Sequence, residues 1–221
     1  MEIQTGLRGL AFENGYEILQ DRGLAIVGMS PGNGYFKEDR IDDLLKYCAS
    51  KFSQVRIMIA DKPAEHTYRA IGYTSQKAER KARLNGNTLQ NHSQKSINGI
   101  LGDVKSVEWK DEINSNKFYQ NELSRVEAMY GENDCFRREV RETTRSVLEG
   151  ILKQGVEIES AIDEGVHYLL KELAFLSASP EIFETERVAY VYHNRWEVYE
   201  HFVEGKFDGQ KRSDLGFVLV K

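Results

Sequence analysis

Two short apolar runs, separated by an amphipathic segment, constrain the fold of this chain more than any other feature. Residues 24–27 and 55–60 are dominated by apolar side chains and are too short for buried helices, so each predicts a buried strand. Between them, residues 37–52 place their apolar side chains on one helical face. Strand, helix and strand in about 40 residues form the βαβ unit of a parallel sheet. The pattern therefore predicts an α/β fold.

A glycine-rich turn follows the first apolar run. Residues 28–34 have the sequence Gly-Met-Ser-Pro-Gly-Asn-Gly, in which three glycines and a proline exclude regular structure. Ser30 is therefore expected at the carboxyl end of the first strand of the sheet, where ligands bind in open α/β folds. A tight strand-to-helix connection explains the turn equally well at this stage.

The rest of the chain predicts one domain spanning residues 1–221. Hydrophobic residues at 40% and charged residues at 29% are typical of an ordinary globular protein. Further strands are predicted at residues 104–109, 187–192 and 216–220. Helices are predicted at residues 65–84, 118–129, 134–154, 158–176 and 196–202, with Asn85-Gly86 ending the first of these and Ser179-Pro180 the fourth.

Composition and spacing exclude several classes of protein. No apolar run approaches the length of a membrane span, and the N-terminus lacks the pattern of a secretory signal. Cys48 and Cys135 are far apart, which predicts reduced, buried thiols in a cytoplasmic protein. The five histidines show no metal-ligand spacing, so no metal site is expected. The net charge of −5 argues against a general nucleic-acid coat, and no DNA partner is expected.

The turn also matches G-x-S-x-G, the nucleophile elbow of α/β-hydrolases. In that mechanism the residue after the serine donates its backbone N–H to the oxyanion, and here that residue is Pro31, which has no N–H. A phosphate-binding Walker A loop does not fit, because no Gly-Lys-Ser/Thr follows at the required spacing. The hydrolase interpretation is therefore disfavoured.

Polar residues further along the chain provide candidates to act with the serine. Tyr168 and Glu172 lie at i and i+4 on a mostly apolar helix. A carboxylate near a core face is costly without a cation or donors, so Glu172 lies either at the solvent edge or where it captures a substrate ammonium. Tyr190 and Tyr192 share one face of a strand, next to His193, and serve either packing or proton relay.

A basic face is predicted on the helix at residues 65–84. Lys77, Arg80 and Lys81 lie at i, i+3 and i+4, with Arg83 beside them. The face is either simply solvated or suited to a phosphate backbone that is bound without base reading.

Together these motifs resemble those of the cyclodipeptide synthases over nearly the whole chain. The family's nucleophile turn is similar to Gly28-x-Ser30 followed by Pro-Gly-Asn and Tyr-Phe. Its helix motif is similar to Tyr168-x-x-x-Glu172, and its tyrosine on a late strand is similar to Tyr192. The resemblance implies a Rossmann-like parallel sheet with helices on both faces. That fold is similar to the catalytic domain of class I aminoacyl-tRNA synthetases of the tyrosine and tryptophan type, but the ATP-binding signatures are missing, so no cofactor is expected.

The resemblance implies an aminoacyltransferase that joins the amino acids of two aminoacyl-tRNAs into a 2,5-diketopiperazine. In this ping-pong mechanism aminoacyl-Ser30 forms first and dipeptidyl-Ser30 second. Tyr168 and Glu172 would hold the substrate ammonium, and Tyr192 would relay a proton during ring closure. The residues assigned to catalysis are Ser30, Asn33, Tyr119, Tyr168, Glu172, Tyr192 and His193.

Family positions also imply where the substrates bind. The first aminoacyl pocket is assigned to Ile26, Gly28, Met58, Phe175 and Tyr190, and the tRNA acceptor stem to Lys77, Arg80, Lys81 and Arg83. Gly28 is expected to leave room for the aminoacyl side chain, and the phenol of Tyr190 favours a polar or aromatic residue such as histidine over leucine. Asn33 and Tyr192 fit the subfamily that continues with glutamine, but His193 replaces that glutamine and changes the surroundings of the second substrate.

Two other functions remain open from the sequence. One is a non-catalytic module that binds tRNA or aminoacyl-tRNA through the basic face and makes no use of Ser30. The other is a serine esterase that hydrolyses simple acyl esters. Whichever function applies, we expect the protein to be a monomer, because the sequence predicts no exposed apolar stripe that would bind a second copy.

Overall fold

A six-stranded sheet forms the centre of the computed structural model, which describes residues 9–13 and 15–221. The strands are β1 (Gly9–Glu13), β2 (Leu24–Met29), β3 (Gln54–Ile59), β4 (Asp103–Val107), β5 (Val188–Tyr192) and β6 (Leu215–Val220). Their order across the sheet is β1-β6-β5-β2-β3-β4. Five strands are parallel, whereas β1 pairs antiparallel with β6. The α/β prediction is confirmed, with an antiparallel edge strand that the sequence patterns did not reveal.

Strand β2 lies where the order of the strands reverses. The chain passes from β2 to β3 and β4 on one side, and it returns on the other side of β2 as β5 and β6. A crevice opens at the carboxyl ends of the strands at such a point. The expectation that Ser30 follows the first strand is wrong, because it follows the second, but its place at a carboxyl end is confirmed.

Helices cover both faces of the sheet. They are α1 (Gly15–Gln20), α2 (Glu38–Lys51), α3 (Asp61–Ala70), α4 (Ser75–Ile97), α5 (Lys117–Glu132), α6 (Asp134–Glu149), α7 (Ile158–Ile182) and α8 (Glu197–Val203), with a π-helical turn at Trp109–Ile113. One core packs α3 and α5 to α8 against the sheet, and a second core packs α1 and α2 against its other face. Helix α4 contributes to both cores.

The single helix predicted at residues 65–84 is wrong, because the structure contains two helices there. Helix α3 ends at Ala70, Gly72 adopts a positive φ of 88°, and α4 runs from Ser75 through Asn85-Gly86 to Ile97. A Cβ at Gly86 would lie 2.8 Å from the Cβ of Asp61 on α3. Gly86 therefore allows the two helices to approach closely and does not end α4.

The predicted end of a helix at Ser179-Pro180 is also wrong. Helix α7 continues to Ile182 although Pro180 has no N–H to donate to the Leu176 carbonyl. The Ser179 Oγ donates to that carbonyl at 2.6 Å, which satisfies the acceptor that the proline leaves unpaired. Two other predicted elements end early, β4 at Val107 and α6 at Glu149.

Two further properties of the described residues bear on the expectations from composition. None of their helices is long and apolar enough to cross a membrane. Both cysteines are free; Cys48 is buried, whereas Cys135 is partly exposed.

Candidate active site

The turn after β2 is held in place by backbone hydrogen bonds and by two side chains of the helices that follow β3. The Asn33 N–H donates to the Ser30 carbonyl at 3.1 Å. The Tyr68 hydroxyl donates to the Pro31 carbonyl at 3.1 Å, and the Asn85 amide donates to that hydroxyl at 2.6 Å. Gly32 has a positive φ of 86°, and a Cβ there would overlap the Tyr68 hydroxyl. A side chain at Gly32 would therefore both strain and displace the turn.

The Ser30 hydroxyl lies between two phenols. Its Oγ is 2.9 Å from the Tyr168 Oη and 3.1 Å from the Tyr192 Oη. Tyr168 donates its own proton to Glu172 Oε1 at 2.9 Å, so it accepts the proton of Ser30. Ser30 Oγ is then free to accept from Tyr192. A directed chain of hydrogen bonds thus runs from Tyr192 through Ser30 and Tyr168 to Glu172.

Glu172 is buried, with only 5% of its surface exposed, and the alternative that it lies at the solvent edge is wrong. Burial raises the pKa of its carboxyl to about 8, against the lowering effect of the Tyr168 hydrogen bond. In the described part of the chain no basic side chain forms an ion pair with it. The carboxyl is therefore close to its titration point at neutral pH, and a nearby cation would ionise it.

The two phenols share this environment. Burial, followed by the negative charge of Glu172, raises the pKa of Tyr168 well above its ordinary value. The same causes, in the same order, raise the pKa of Tyr192 to about 12. Both phenols are therefore neutral at physiological pH and can donate or accept a proton through their hydroxyls.

The side chains of Asn33 and His193 contact each other, whereas the Ser30 hydroxyl contacts Tyr168 and Tyr192. The Asn33 Nδ2 lies 3.0 Å from the His193 Nε2, and the Asn33 Oδ1 accepts the backbone N–H of Tyr35 at 3.0 Å. The imidazole stacks on the Tyr35 ring at a centroid distance of 4.0 Å. Burial lowers the pKa of His193. Asn33 therefore lies in the turn that carries the serine, and His193 lies beside that turn.

Tyr119, assigned to the catalytic pocket by resemblance, lies on α5 outside this chain of hydrogen bonds. It is fully buried and packs edge-on against Trp109, with the ring centroids 5.9 Å apart. Its hydroxyl has no hydrogen-bond partner among the residues that the structure describes, and burial raises the pKa of the phenol.

The residues assigned to the first aminoacyl pocket gather in one core beneath the serine turn. Apart from Gly28, which has no side chain, each of them is at most 1% exposed: Ile26, Met58, Phe175 and Tyr190. In the sheet, Ile26 pairs with Tyr190 and Gly28 with Met58. A Cβ at Gly28 would overlap the Tyr190 hydroxyl and lie 2.6 Å and 2.8 Å from two carbons of its ring. The room that Gly28 was expected to leave for a substrate side chain is thus filled by the phenol of Tyr190.

The basic face lies on α4, close to the serine turn. Lys77, Arg80 and Arg83 are exposed, and no ion pair to these three or to Lys81 occurs within the described ranges. Lys81 is half-buried, with its Nζ 5.7 Å from the centroid of the Tyr68 ring. Lys81 lies against the Tyr68 ring, and the Tyr68 hydroxyl is hydrogen-bonded to the serine turn. Tyr68 therefore connects the basic face to that turn.

Tyr68 and Asn85 are the site residues that the sequence did not reveal. Their hydrogen bond joins two helices across 17 positions, and no motif marks either residue. The sequence pattern instead predicts that Asn85 and Gly86 end a helix. Residues 9–13 and 15–221 contain no group of three or more His, Cys, Asp or Glu side chains that could hold a metal ion.

Comparisons with known proteins give matches over most of the chain. The family model described as cyclodipeptide synthase matches residues 11–221. The cyclo(L-leucyl-L-leucyl) synthase of Bacillus subtilis is 28% identical over 215 residues, which are 95% of this chain and 86% of that protein.

Solved structures of low sequence identity share the fold. A structure from Mycobacterium tuberculosis, described as showing that cyclodipeptide synthetases are related to type I tRNA synthetases, has a TM-score of 0.81 at 20% identity and covers 100% of this chain and 95% of its own. A cyclodipeptide synthase from Candidatus Glomeribacter gigasporarum bound to Phe-tRNAPhe has a TM-score of 0.59 at 18% identity, covering 89% of this chain and 86% of its own. The predicted likeness in fold to class I synthetases is confirmed. The match of the family model across residues 11–221 shows that the chain belongs to the cyclodipeptide synthase family of enzymes.

Proposed function

We propose that this enzyme takes its amino acids from two aminoacyl-tRNAs and forms the cyclic dipeptide through successive esters of Ser30. The observation that carries the proposal is the hydrogen-bonded chain that links Tyr192, Ser30, Tyr168 and Glu172. It surrounds one hydroxyl with a proton acceptor on one side and a proton donor on the other. A nucleophile that is acylated and later released needs both.

In the first half-reaction Ser30 Oγ attacks the carbonyl carbon of an aminoacyl-tRNA ester. The bond to the ribose oxygen breaks, and the serine proton reaches that oxygen, so that aminoacyl-Ser30 and free tRNA result. Tyr168 accepts the hydrogen bond of Ser30, which orients an Oγ lone pair towards the substrate. Because the ester is already activated, no strongly basic partner such as an Asp-oriented histidine is required.

Glu172 holds the ammonium of the bound amino acid. Its carboxyl is buried with no ion-pair partner among the described residues, and burial raises its pKa to about 8. An ammonium that enters beside it replaces the missing positive charge, and the resulting charge-assisted hydrogen bond contributes about 1.5–3 kcal/mol. The carboxylate thus selects a free α-amine and fixes the direction from which the ester approaches Ser30.

In the second half-reaction the α-amine of the second aminoacyl-tRNA attacks the Ser30 ester. The bond from the carbonyl carbon to Ser30 Oγ breaks, and the dipeptidyl group passes back to the serine as the second tRNA leaves. The free amine of the dipeptide then attacks the new ester, which closes the ring and releases Ser30. Tyr192, 3.1 Å from Ser30 Oγ, supplies the proton that the departing serine oxygen needs and recovers one from the attacking amine.

The basic face of α4 binds the acceptor stems of both tRNAs in turn. Lys77, Arg80 and Arg83 present exposed charges to solvent, and Lys81 lies against Tyr68 beside the serine turn. These side chains can contact phosphates without reading bases, as an enzyme that accepts more than one tRNA requires. The tRNA-bound relative supports this partner.

Acid-stable labelling tests the proposal directly. The protein is mixed with bulk tRNA charged with radiolabelled amino acids, quenched in acid and separated from the tRNA. We expect label on the wild-type protein and none on Ser30→Ala. Equal labelling of the two proteins, or none on either, would contradict the role of Ser30.

Two companion measurements separate the other functions. Rapid turnover of a simple nitrophenyl ester with no label from aminoacyl-tRNA would identify a serine esterase. Tight tRNA binding with neither label nor diketopiperazine would identify a binding module. Mass spectrometry of medium from cells that express the chain would show which amino acids are joined, and it would test the preference for a polar or aromatic residue against the leucine named for the Bacillus subtilis relative.

A further inference from the structure

The contacts of Asn33 fix the orientation of its amide. Its Oδ1 accepts the Tyr35 N–H at 3.0 Å, so its Nδ2 is the atom that faces the His193 Nε2, also at 3.0 Å. An amide nitrogen can only donate a hydrogen bond. The His193 Nε2 must therefore accept, which makes the imidazole neutral with its proton on Nδ1.

The surroundings of His193 disfavour a second proton. Tyr35 covers one face of the imidazole, and the guanidinium of Arg40 on α2 lies 5.4 Å from the centroid of the same Tyr35 ring. From β5, the Tyr192 ring lies 4.4 Å away. Burial lowers the pKa of His193, although a hydrogen bond with Asn194 opposes that effect. Of the titratable groups in these contacts, Tyr35, Arg40 and Tyr192, none supplies a negative charge that would stabilise the imidazolium.

The histidine is also connected to the nucleophile through Asn33. The Asn33 backbone N–H donates to the Ser30 carbonyl at 3.1 Å, and the Asn33 carbonyl accepts the Phe36 N–H at 3.3 Å. Asn33 thus fixes both ends of the turn, and His193 fixes the side chain of Asn33. A proton on His193 Nε2 would place two donors opposite each other and break this contact.

We propose that His193 is a positioning residue, which accepts a hydrogen bond from Asn33 to hold the Ser30 turn in its reactive geometry and releases that turn when it is protonated. The imidazole therefore acts through Asn33 rather than as a proton relay at the serine. The expected effect of His193 on the rate of reaction rests on the proposed acylation of Ser30. The hydrogen bond itself can be measured independently of any reaction.

The first test is nuclear magnetic resonance of the free protein with ¹⁵N-labelled histidine, in which the His193→Gln variant identifies the His193 signals. We expect an unprotonated Nε2 and a protonated Nδ1. In Asn33→Asp the facing group becomes a carboxylate, so the pKa of His193 should rise above the ordinary histidine value instead of lying below it. An Nε2–H tautomer in the wild type, or an unchanged pKa in Asn33→Asp, would overturn the inference.

The second test is the pH dependence of aminoacyl-enzyme formation in single turnover, with bulk tRNA charged with radiolabelled amino acids. Glu172 titrates alike in the wild type and in the His193 variants, so the comparison between them isolates His193. As His193 is protonated, we expect the wild-type rate to fall by up to a further tenfold per pH unit. His193→Gln keeps an acceptor that does not titrate in this range, so it should lose this further fall and retain most of the rate above neutrality. His193→Ala lacks the acceptor and should be about fivefold to tenfold slower at every pH.

His201→Gln provides the matched control, because it makes the same exchange on α8, where the imidazole contacts Glu139 and not the turn. Its acid limb should equal that of the wild type. An acid limb in His193→Gln as steep as that of the wild type, or equal slowing of His193→Gln and His193→Ala, would overturn the positioning role. If the wild type takes no label, the proposed function fails, and the tautomer measurement alone then decides whether the His193 contact exists.

Discussion

The change of Glu172 to glutamine is expected to stabilise the free enzyme and to abolish its reaction. The carboxyl has a pKa of about 8 in the folded chain and an ordinary value of 4.5. Between these two values Glu172 is protonated when folded and ionised when unfolded, so its contribution to the free energy of unfolding is lost as the pH rises. Glutamine has the shape of the protonated acid but does not titrate.

The size of the effect follows from the two pKa values. Each unit of difference corresponds to about 1.4 kcal/mol. At about pH 4 the two proteins should be equally stable, at about pH 7 the glutamine variant should be more stable by about 3 kcal/mol, and above the higher pKa the difference should approach about 5 kcal/mol. Urea unfolding followed by tryptophan fluorescence at several pH values measures this difference.

Glu200→Gln is the matched control. Glu200 is equally buried, at 3% exposure, but its carboxylate accepts hydrogen bonds from Arg195 at 2.9 Å and 3.0 Å. The same substitution there removes a charged partner and should lower the free energy of unfolding by about 1–3 kcal/mol. A glutamine variant at position 172 that is less stable than the wild type above neutrality would refute the reasoning, as would a difference that does not change with pH.

The same variant separates stability from function. The glutamine amide offers no negative charge to the substrate ammonium, so Glu172→Gln should take no label from charged tRNA. Because the variant is expected to be the more stable protein, that loss could not be attributed to unfolding. Normal labelling would reject the ammonium-binding role.

Two further outcomes are expected. Arg80→Glu combined with Lys81→Glu should weaken the reaction with aminoacyl-tRNA and reduce its salt dependence. The salt dependence is measured as the slope of log kcat/KM against log salt concentration. The control, Arg138→Glu on α6, should leave that slope unchanged. Gly28→Ala should lower the free energy of unfolding by about 1–3 kcal/mol, because the new Cβ overlaps the packed phenol of Tyr190. In thermal unfolding, Tyr190→Phe should restore only part of that loss, since two ring carbons remain within 2.8 Å of the added Cβ; an unchanged stability of Gly28→Ala would show that the phenol moves freely.

The parts of the fold that the sequence predicted are those determined by local pattern. Strand β2 is a continuous apolar run, β3 is dominated by apolar residues, and the turn between β2 and α2 is defined by glycine and proline. Strand β1 has no comparable run, and its place depends on pairing with β6, as between Gly9 and Val220 at opposite ends of the chain. Its partner is too distant in sequence for any local pattern to indicate.

Two of the errors arose where a residue that usually ends a helix lies inside one. Gly86 lets α4 pass close to Asp61, and Pro180 is accommodated because Ser179 replaces the missing donor. Both residues have unfavourable helix propensities; a close approach between helices outweighs the propensity of Gly86, and a side-chain hydrogen bond offsets that of Pro180.

The active site shows the same division between local and distant information. Helical spacing alone placed Tyr168 next to Glu172, and the structure confirms their hydrogen bond. The contacts of Ser30 with Tyr168 and Tyr192 span 138 and 162 positions, and only the resemblance to a family linked these residues beforehand. Tyr68, which supports the turn from α3, belongs to no such motif and required the structure.

The strongest physical sign of function is the contrast between two buried glutamates. The fold provides Glu200 with the guanidinium of Arg195, whereas Glu172 meets a phenol, Tyr168, and within the described residues no basic partner. A buried carboxyl without a cation reduces stability above its ordinary pKa, so a stable fold alone gives no reason to keep one. We infer that the missing cation arrives with the substrate, because an ammonium that pairs with Glu172 brings its acyl carbon towards the serine to which Tyr168 is already bonded. On this inference, binding of the amine and alignment of the ester are one event, and the unpaired carboxyl would favour an aminoacyl ester over a simple acyl ester.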